Sequence, residues 1–260
     1  MRLLLLLTTL LCLEARAFTL NNTIGARFKD AEVDVRVGIN PGACANIDLD
    51  EVAGLVGDAV NEFWNRVPTS RLKLKDAGSF NTGDDDYRTG ELCLLGGAGA
   101  CAPAVPSADG IVITCNSNVT NFSGGGLLAL TLPNRIRGKD IKSAVVLLND
   151  TGPNFNNLSR NKKVAVIAHE LGHAIGLGHS EERAALMYYA VVPTRNRLGQ
   201  DDIDGVTYLY PVQLDLYGMG CFLNSVDLQG GDSQGPGPML VTLLVGFLAA
   251  LSLRRRSRGA

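Results

Sequence analysis

Histidine is scarce in this 260-residue chain, which has three. Charge is scarce too: Asp, Glu, Lys and Arg make up 19 % and the formal net charge is −2, so no basic field exists to attract nucleic acid. Aromatic residues reach only 6 %, while Gly is abundant at 30, a mix that favours turns and close backbone approaches over bulky packing. Disorder is excluded by an apolar content of 46 %. No apolar run attains the roughly 20 residues that a membrane-spanning helix needs.

What is present begins at the two ends. "MRLLLLLTTLLCLEARA" places one Arg before an apolar run from Leu3 to Leu13, and Ala15-Arg16-Ala17 supplies small residues where a signal peptidase reads. Residues 1–17 therefore read as an export signal. At the other end a Gly/Pro-rich linker, residues 213–238, leads to the apolar segment Met239–Leu253 and an Arg cluster, Arg254, Arg255, Arg256 and Arg258. Such a helix reaches about 22 Å, short of a hydrocarbon core of about 30 Å, although snorkelling Arg or a thinned bilayer could close the gap. Residues 239–260 resemble bacterial C-terminal sorting signals, so the chain is expected to be exported and held at the cell surface by this tail, or released once the tail is processed. An Arg cluster after the apolar run argues against a glycolipid-anchor signal.

Export implies an oxidising compartment. With the signal removed, Cys44, Cys93, Cys101, Cys115 and Cys221 remain. The number is odd, so one thiol stays free or pairs outside the chain. Cys93 and Cys101 flank "LLGGAGA", a small loop that a bridge could close; spacing does not determine the other pairing.

Between the ends lie about 200 residues, enough for one domain, 18–212, with a sizeable core. No internal repeat is visible. "EVDVRVGIN" alternates charged residues with Val and Ile as a half-buried strand does. In the next segment Val52, Leu55, Val56, Val60, Phe63 and Val67 recur at helical spacing, with Asp48 or Asp50 able to cap. "RLKLK" and "GIVITCNS" read as strands and "DAGSFNTGDDDYRTG" between them as a loop. "LLALTLP" and "SAVVLLND" read as further strands. Lys162 to Gly176 reads as a helix broken by Gly176 and Gly178, and "DDIDGVTYLY" as a last helix capped by Asp201 or Asp202. The pattern predicts an α/β (α+β) fold with a twisted, mixed, mostly parallel sheet of about five strands.

All three histidines, His169, His173 and His179, fall in one segment, "HELGHAIGLGH". His169 and His173 stand at i and i+4, so one helix face presents both rings. Gly176 lets the chain turn so that His179 can return to them. Three neutral imidazoles with an open fourth position are what a catalytic zinc ion requires, whereas a structural site would be closed by four ligands. Glu170 beside the first ligand can reach a water at that position. At average residue frequencies a chance match to the five fixed positions is on the order of one in 10⁵ for a chain of this size.

"HELGHAIGLGH" followed by "ALMYY" resembles the metzincin zinc endopeptidases, whose histidine motif is followed by a methionine-containing turn. Met187 matches that methionine, and Ser180 after the third histidine resembles the matrixin branch. "AVNEFWNRVPTSRLKL" is similar to the first matrixin helix and the strand after it, and "DDIDGVTYLY" to the last helix. The resemblance implies an active-site helix, a Met-turn and a C-terminal helix, one catalytic Zn²⁺ on His169, His173 and His179, and Glu170 as general base. It also implies a protein or peptide substrate bound in extended form along a sheet edge, best matched by Leu128 to Leu132, and a monomer. Tyr189 stands where matrixins usually have Pro. It resembles the Tyr of the astacin and serralysin branches, which reaches the metal through its phenol; the alternatives are a Tyr189 packed beneath the site, or Tyr188 in that role.

Other family features are missing from the pattern. No further histidines exist for the second, structural zinc of vertebrate matrixins, so that site is expected to be absent. "PGACANI" around Cys44 does not match the cysteine motif of a latency prosegment, which implies an enzyme born active or restrained from outside. Asp84, Asp85 and Asp86 lack the ordered spacing of a calcium loop and read first as an exposed acidic loop, with Ca²⁺ as the lesser alternative. The expected function is an exported zinc-dependent endopeptidase. The competing class is a catalytically inactive, surface-anchored peptide- or matrix-binding module on the same fold, which would have no need of Glu170.

Overall fold

The strands pair into one sheet. A computed structural model describes residues 18–39, 44–81, 89–90, 109–123, 126–190 and 196–212. The expected export signal at residues 1–17, the Asp84–Asp86 run, Cys93, Cys101 and Cys221, and residues 213–260 lie outside them. Among the described residues no helix is long and apolar enough to cross a membrane.

The strands are β1 (Arg27–Phe28), β2 (Glu32–Ile39), β3 (Lys73–Asn81), β4 (Gly110–Asn116), β5 (Ala129–Arg137) and β6 (Asp140–Asn149). β2, β3, β4 and β6 run parallel, in the order β6-β4-β2-β3. β5 returns antiparallel to β6. Ser143 pairs with Gly110 on one side and Arg135 on the other, so β5 is one edge of the sheet and β3 the opposite edge. The sheet is thus mixed and mostly parallel, with five long strands and the two-residue β1 alongside β6.

Two helices cover one face. In α1 (Leu49–Glu62) the expected stripe of Val52, Leu55, Val56 and Val60 is buried, and Phe63 and Val67 beyond it are buried as well. Asp48, not Asp50, is the cap; its carboxylate accepts the N–H groups of Asp50 at 3.0 Å and Glu51 at 3.1 Å, satisfying donors the first turn leaves open. α2 (Arg160–Ala174) packs beside α1, tied to it by the buried Lys163, whose ammonium donates to both Glu51 oxygens at 2.9 and 2.7 Å. Beneath them Val33, Val35, Val37, Ile111, Ile113, Ala144, Val146 and Leu148 complete the main core. The opposite face carries a smaller cluster of Val112, Phe122, Val145 and Leu147, against which Phe80, Leu130 and Leu132 pack. Burial on both faces explains why β4 is hidden throughout and mostly apolar.

Three expectations are corrected. β3 runs on through Asp76–Asn81, residues expected to be loop. As an edge strand it is largely exposed and carries no alternation to read. β5 continues past Pro133 to Arg137, and β6 starts at Asp140, three residues earlier than expected. An edge strand tolerates a proline, and the register slips just after it. The last helix, α3 (Gln200–Leu209), has Gly199 at its N-cap, not Asp201 or Asp202. Asp202 instead reaches back from inside the first turn to accept the Gly199 N–H at 2.7 Å.

One disulfide pairing that the sequence left open is Cys44–Cys115, with a Cα–Cα distance of 6.1 Å. It pins the segment before α1 to the end of β4. Next to it the buried Asp150 accepts the N–H groups of Ala45 (2.8 Å), Asn46 (2.6 Å) and Ile47 (3.0 Å). Together they fix the chain's entry into α1.

Candidate active site

The three histidines come together as their spacing implied. His169 and His173 project from the last two turns of α2, with ring centroids 4.8 Å apart. The helix stops at Ile175, and Gly176 takes φ +114°, a left-handed conformation that side-chain-bearing residues avoid. A Cβ there would also sit 2.6 Å from the Ala26 carbonyl oxygen. The turn returns His179 to the pair, and one ligand nitrogen from each ring lies within 4.8 Å of the others.

Two of the rings, His169 and His173, are held in a defined tautomer. His169 Nδ1 lies 2.8 Å from the Leu186 carbonyl and His173 Nδ1 lies 2.9 Å from the Leu177 carbonyl. A carbonyl can only accept, so each Nδ1 carries the proton and each Nε2 presents a lone pair. The Nε2 atoms of His173 and His179 are 3.2 Å apart. Two ligands of a tetrahedral zinc ion at its usual nitrogen distance stand roughly 3.3 Å apart, so the donor set fits the ion. Burial, reinforced by His169, holds His173 down to about 3, and the same two causes lower His179. Neutral imidazoles are the form that binds metal.

Glu170 is buried, and its Oε2 accepts the Thr131 hydroxyl from β5 at 2.6 Å. Desolvation raises its pKa, against the pull of His169 and the Thr131 hydrogen bond. Thr131 drew no notice in the sequence. The one available signal was a hydroxyl within the apolar alternation "LLALTLP".

Met187 lies buried against α2. A Cβ on Gly172 would come within 2.3 Å of the Met187 sulfur and 2.7 Å of the Trp64 ring, so the bare helix surface at Gly172 is what admits both. Trp64 is fixed in turn by its indole N–H, which donates to the Ala168 carbonyl at 2.8 Å. The turn around Met187 is gripped by Asp202 of α3, whose carboxylate accepts the N–H groups of Leu186 (2.5 Å) and Met187 (3.0 Å). Burial raises the Asp202 pKa, and the bonds from Met187, Leu186 and Gly199 oppose it. Since the Leu186 carbonyl orients His169, Asp202 supports the site through two bonds. Sequence suggested it only as a helix cap.

The third-histidine loop has a second brace that sequence did not suggest. Residues 19–21 run beside it: Gly178 N donates to the Thr19 carbonyl (2.9 Å), Asn21 N to the Gly176 carbonyl (3.0 Å), and Asn21 Nδ2 to the His173 carbonyl (2.7 Å). The Thr19 hydroxyl also bonds the His179 carbonyl.

Tyr189 is 64 % exposed, with its ring 4.4 Å from that of Tyr188, so it does not pack beneath the site. Tyr188 is buried and pairs with Ser180. The hydrogen bond to Tyr188 raises the Tyr189 phenol. Residues 191–195 lie outside the described residues.

The matrixin family model matches residues 22–211. Neutrophil collagenase of Homo sapiens is 45 % identical over 65 residues, 24 % of this chain and 14 % of that protein. The 72 kDa type IV collagenase of Gallus gallus is 54 % identical over 52 residues, 20 % of this chain and 8 % of that protein. Metalloendoproteinase 1 of Glycine max is 46 % identical over 50 residues, 18 % of this chain and 16 % of that protein. The matched stretches are therefore a small part of each relative's length.

Proposed function

The chain belongs to the matrixin family, and from that premise we propose that it is an exported zinc-dependent endopeptidase. The observation that carries this reading is the cluster of three imidazoles, two of them fixed in tautomer by backbone carbonyls, with a buried carboxylate on the residue after the first. Zinc held by His169, His173 and His179 would polarise the scissile carbonyl and acidify an attacking water. Glu170 takes the proton of that water and passes it to the leaving amine. The outer edge of β5 offers its backbone groups to an extended peptide, which would add as a further strand. A catalytically inactive peptide-binding module would need that edge but not Glu170.

Tyr189 is exposed beside the turn, and in this reading its phenol donates a hydrogen bond to the oxyanion as the carbonyl becomes tetrahedral. Replacing it by Phe is expected to lower kcat by roughly ten- to a thousand-fold with zinc content unchanged. A Tyr189→Phe protein with normal turnover would leave Tyr189 without a catalytic role.

Export is supported by the signal-like residues 1–17 and by the Cys44–Cys115 disulfide, which persists in oxidising surroundings. Anchoring through residues 239–260 rests on their sequence pattern alone, and truncation before the apolar run should then release active protein. Peptide-library cleavage by the purified protein, with and without a chelator, tests the main reading. Cleavage abolished by chelation and restored by zinc is expected; no cleavage from a zinc-loaded protein would favour the binding module.

A further inference from the structure

The contact between Thr131 and Glu170 joins the reacting helix to the edge strand, and neither end of it is an accident of a mobile surface. Glu170 is 7 % exposed. Thr131 lies mid-strand, paired with Val146 of β6. Its neighbours Leu130 and Leu132 pack into the cluster on the far face of the sheet, while Ala129 joins the core under the helices. Strand alternation therefore places Thr131 on the helix side, where an apolar residue would fit the pattern. A hydroxyl stands there instead, and it donates to Glu170 Oε2 at 2.6 Å.

We propose that Thr131 is a positioning residue: its hydroxyl holds one oxygen of the Glu170 carboxylate so that the other is presented to the attacking water. This rests on the endopeptidase reading above. A glutamate on a helix rotates about several bonds, and an untethered carboxylate spends much of its time out of reach of the proton it must take. Oε2, once bonded to Thr131, fixes the carboxylate plane and leaves Oε1 with its lone pairs. The length is that of a well-formed hydroxyl hydrogen bond. Threonine suits the task because its branched β-carbon restricts χ1, and because its strand is held along its length by β6. The same strand is the edge on which an extended peptide would lie, so base and peptide are positioned from one rigid element.

The test uses Thr131→Val, which keeps the shape and removes the hydroxyl, and Thr131→Ser, which keeps the hydroxyl. For Thr131→Val kcat should fall about 10- to 100-fold, the usual cost of losing a supporting hydrogen bond at such a site, with KM and bound zinc unchanged. Thr131→Ser should restore most of the loss. A second readout needs no turnover: urea midpoints of the zinc-free proteins carrying Thr131→Ala, Glu170→Ala and both. If the bond holds the carboxylate, the double change shifts the midpoint by less than the sum of the single changes. Thr131→Val with wild-type kcat, or additive midpoints, would overturn the proposal. A wild-type protein that binds zinc and cleaves nothing would refute the endopeptidase reading instead, and the midpoints would still decide whether the contact exists.

Discussion

Among the described residues from Val33 to Leu148 apolar burial dominates, whereas among those from Gly176 to Tyr210 buried polar side chains grip the backbone. The first region has long strands and α1, which share a continuous core with α2. The second has one ten-residue helix, and its path is set by particular hydrogen bonds. Asp202 accepts three N–H groups, those of Leu186, Met187 and Gly199. Tyr210 accepts from Phe28 N at 3.0 Å and donates to the Ile175 carbonyl at 2.8 Å. Apolar burial is strong but non-directional, whereas a hydrogen bond fixes distance and angle. A region that must place a histidine on a loop against two on a helix needs the second kind of force.

The contrast can be broken most severely at Asp202. Asp202→Ala would orphan two buried donors and the part-buried Gly199 N–H, at a cost of about 1–3 kcal/mol each where water cannot replace the carboxylate. A loss of roughly 3 kcal/mol or more is therefore expected in urea unfolding, with weaker zinc binding as the Leu186 carbonyl loses its place against His169. Unchanged stability would show that packing alone holds the turn.

Glycine offers a matched pair. Gly172→Ala meets the Met187 sulfur and the Trp64 ring, and should destabilise by about 1–3 kcal/mol as those groups are displaced. Gly54→Ala, in α1 with nothing within 4 Å of the new methyl, should instead stabilise by about 0.5–1 kcal/mol. Thermal melts of the two proteins would show opposite signs. Equal effects would mean that Met187 and Trp64 do not fill the space over Gly172 as described.

The mildest test is metal removal. Chelation should speed hydrogen exchange at the amides of residues 177–188 while β4 and β6 stay protected, because the sheet has no stake in the ion. Uniform acceleration would mean that the two regions unfold as one.

The same division decides what could be read from sequence. Apolar burial leaves a period, so the α1 stripe, the α2 segment and the alternation of β2 were legible, and the i, i+4 histidines with Glu170 between them followed from helix geometry. Polar grips leave none. Thr131, Asp202 as the holder of the Met187 turn, and the brace formed by Thr19 and Asn21 each act on a residue far along the chain, and no local spacing encodes that. Edge strand β3 was missed beyond Lys75 because an exposed edge need not alternate. The Cys44–Cys115 pairing depended on which strands become neighbours. The role of Gly172 depends on the Met187 sulfur and the Trp64 ring, which come from elsewhere in the chain to fill the space above it.

The central claim, that the three imidazoles and Glu170 form one hydrolytic centre, is tested most directly by Glu170→Gln. Zinc content and peptide turnover should be measured on the same preparation. One zinc per chain with nearly all turnover lost is predicted, because the ligands stay in place while the proton acceptor is gone. Turnover at the wild-type level from a zinc-loaded Glu170→Gln protein would contradict it.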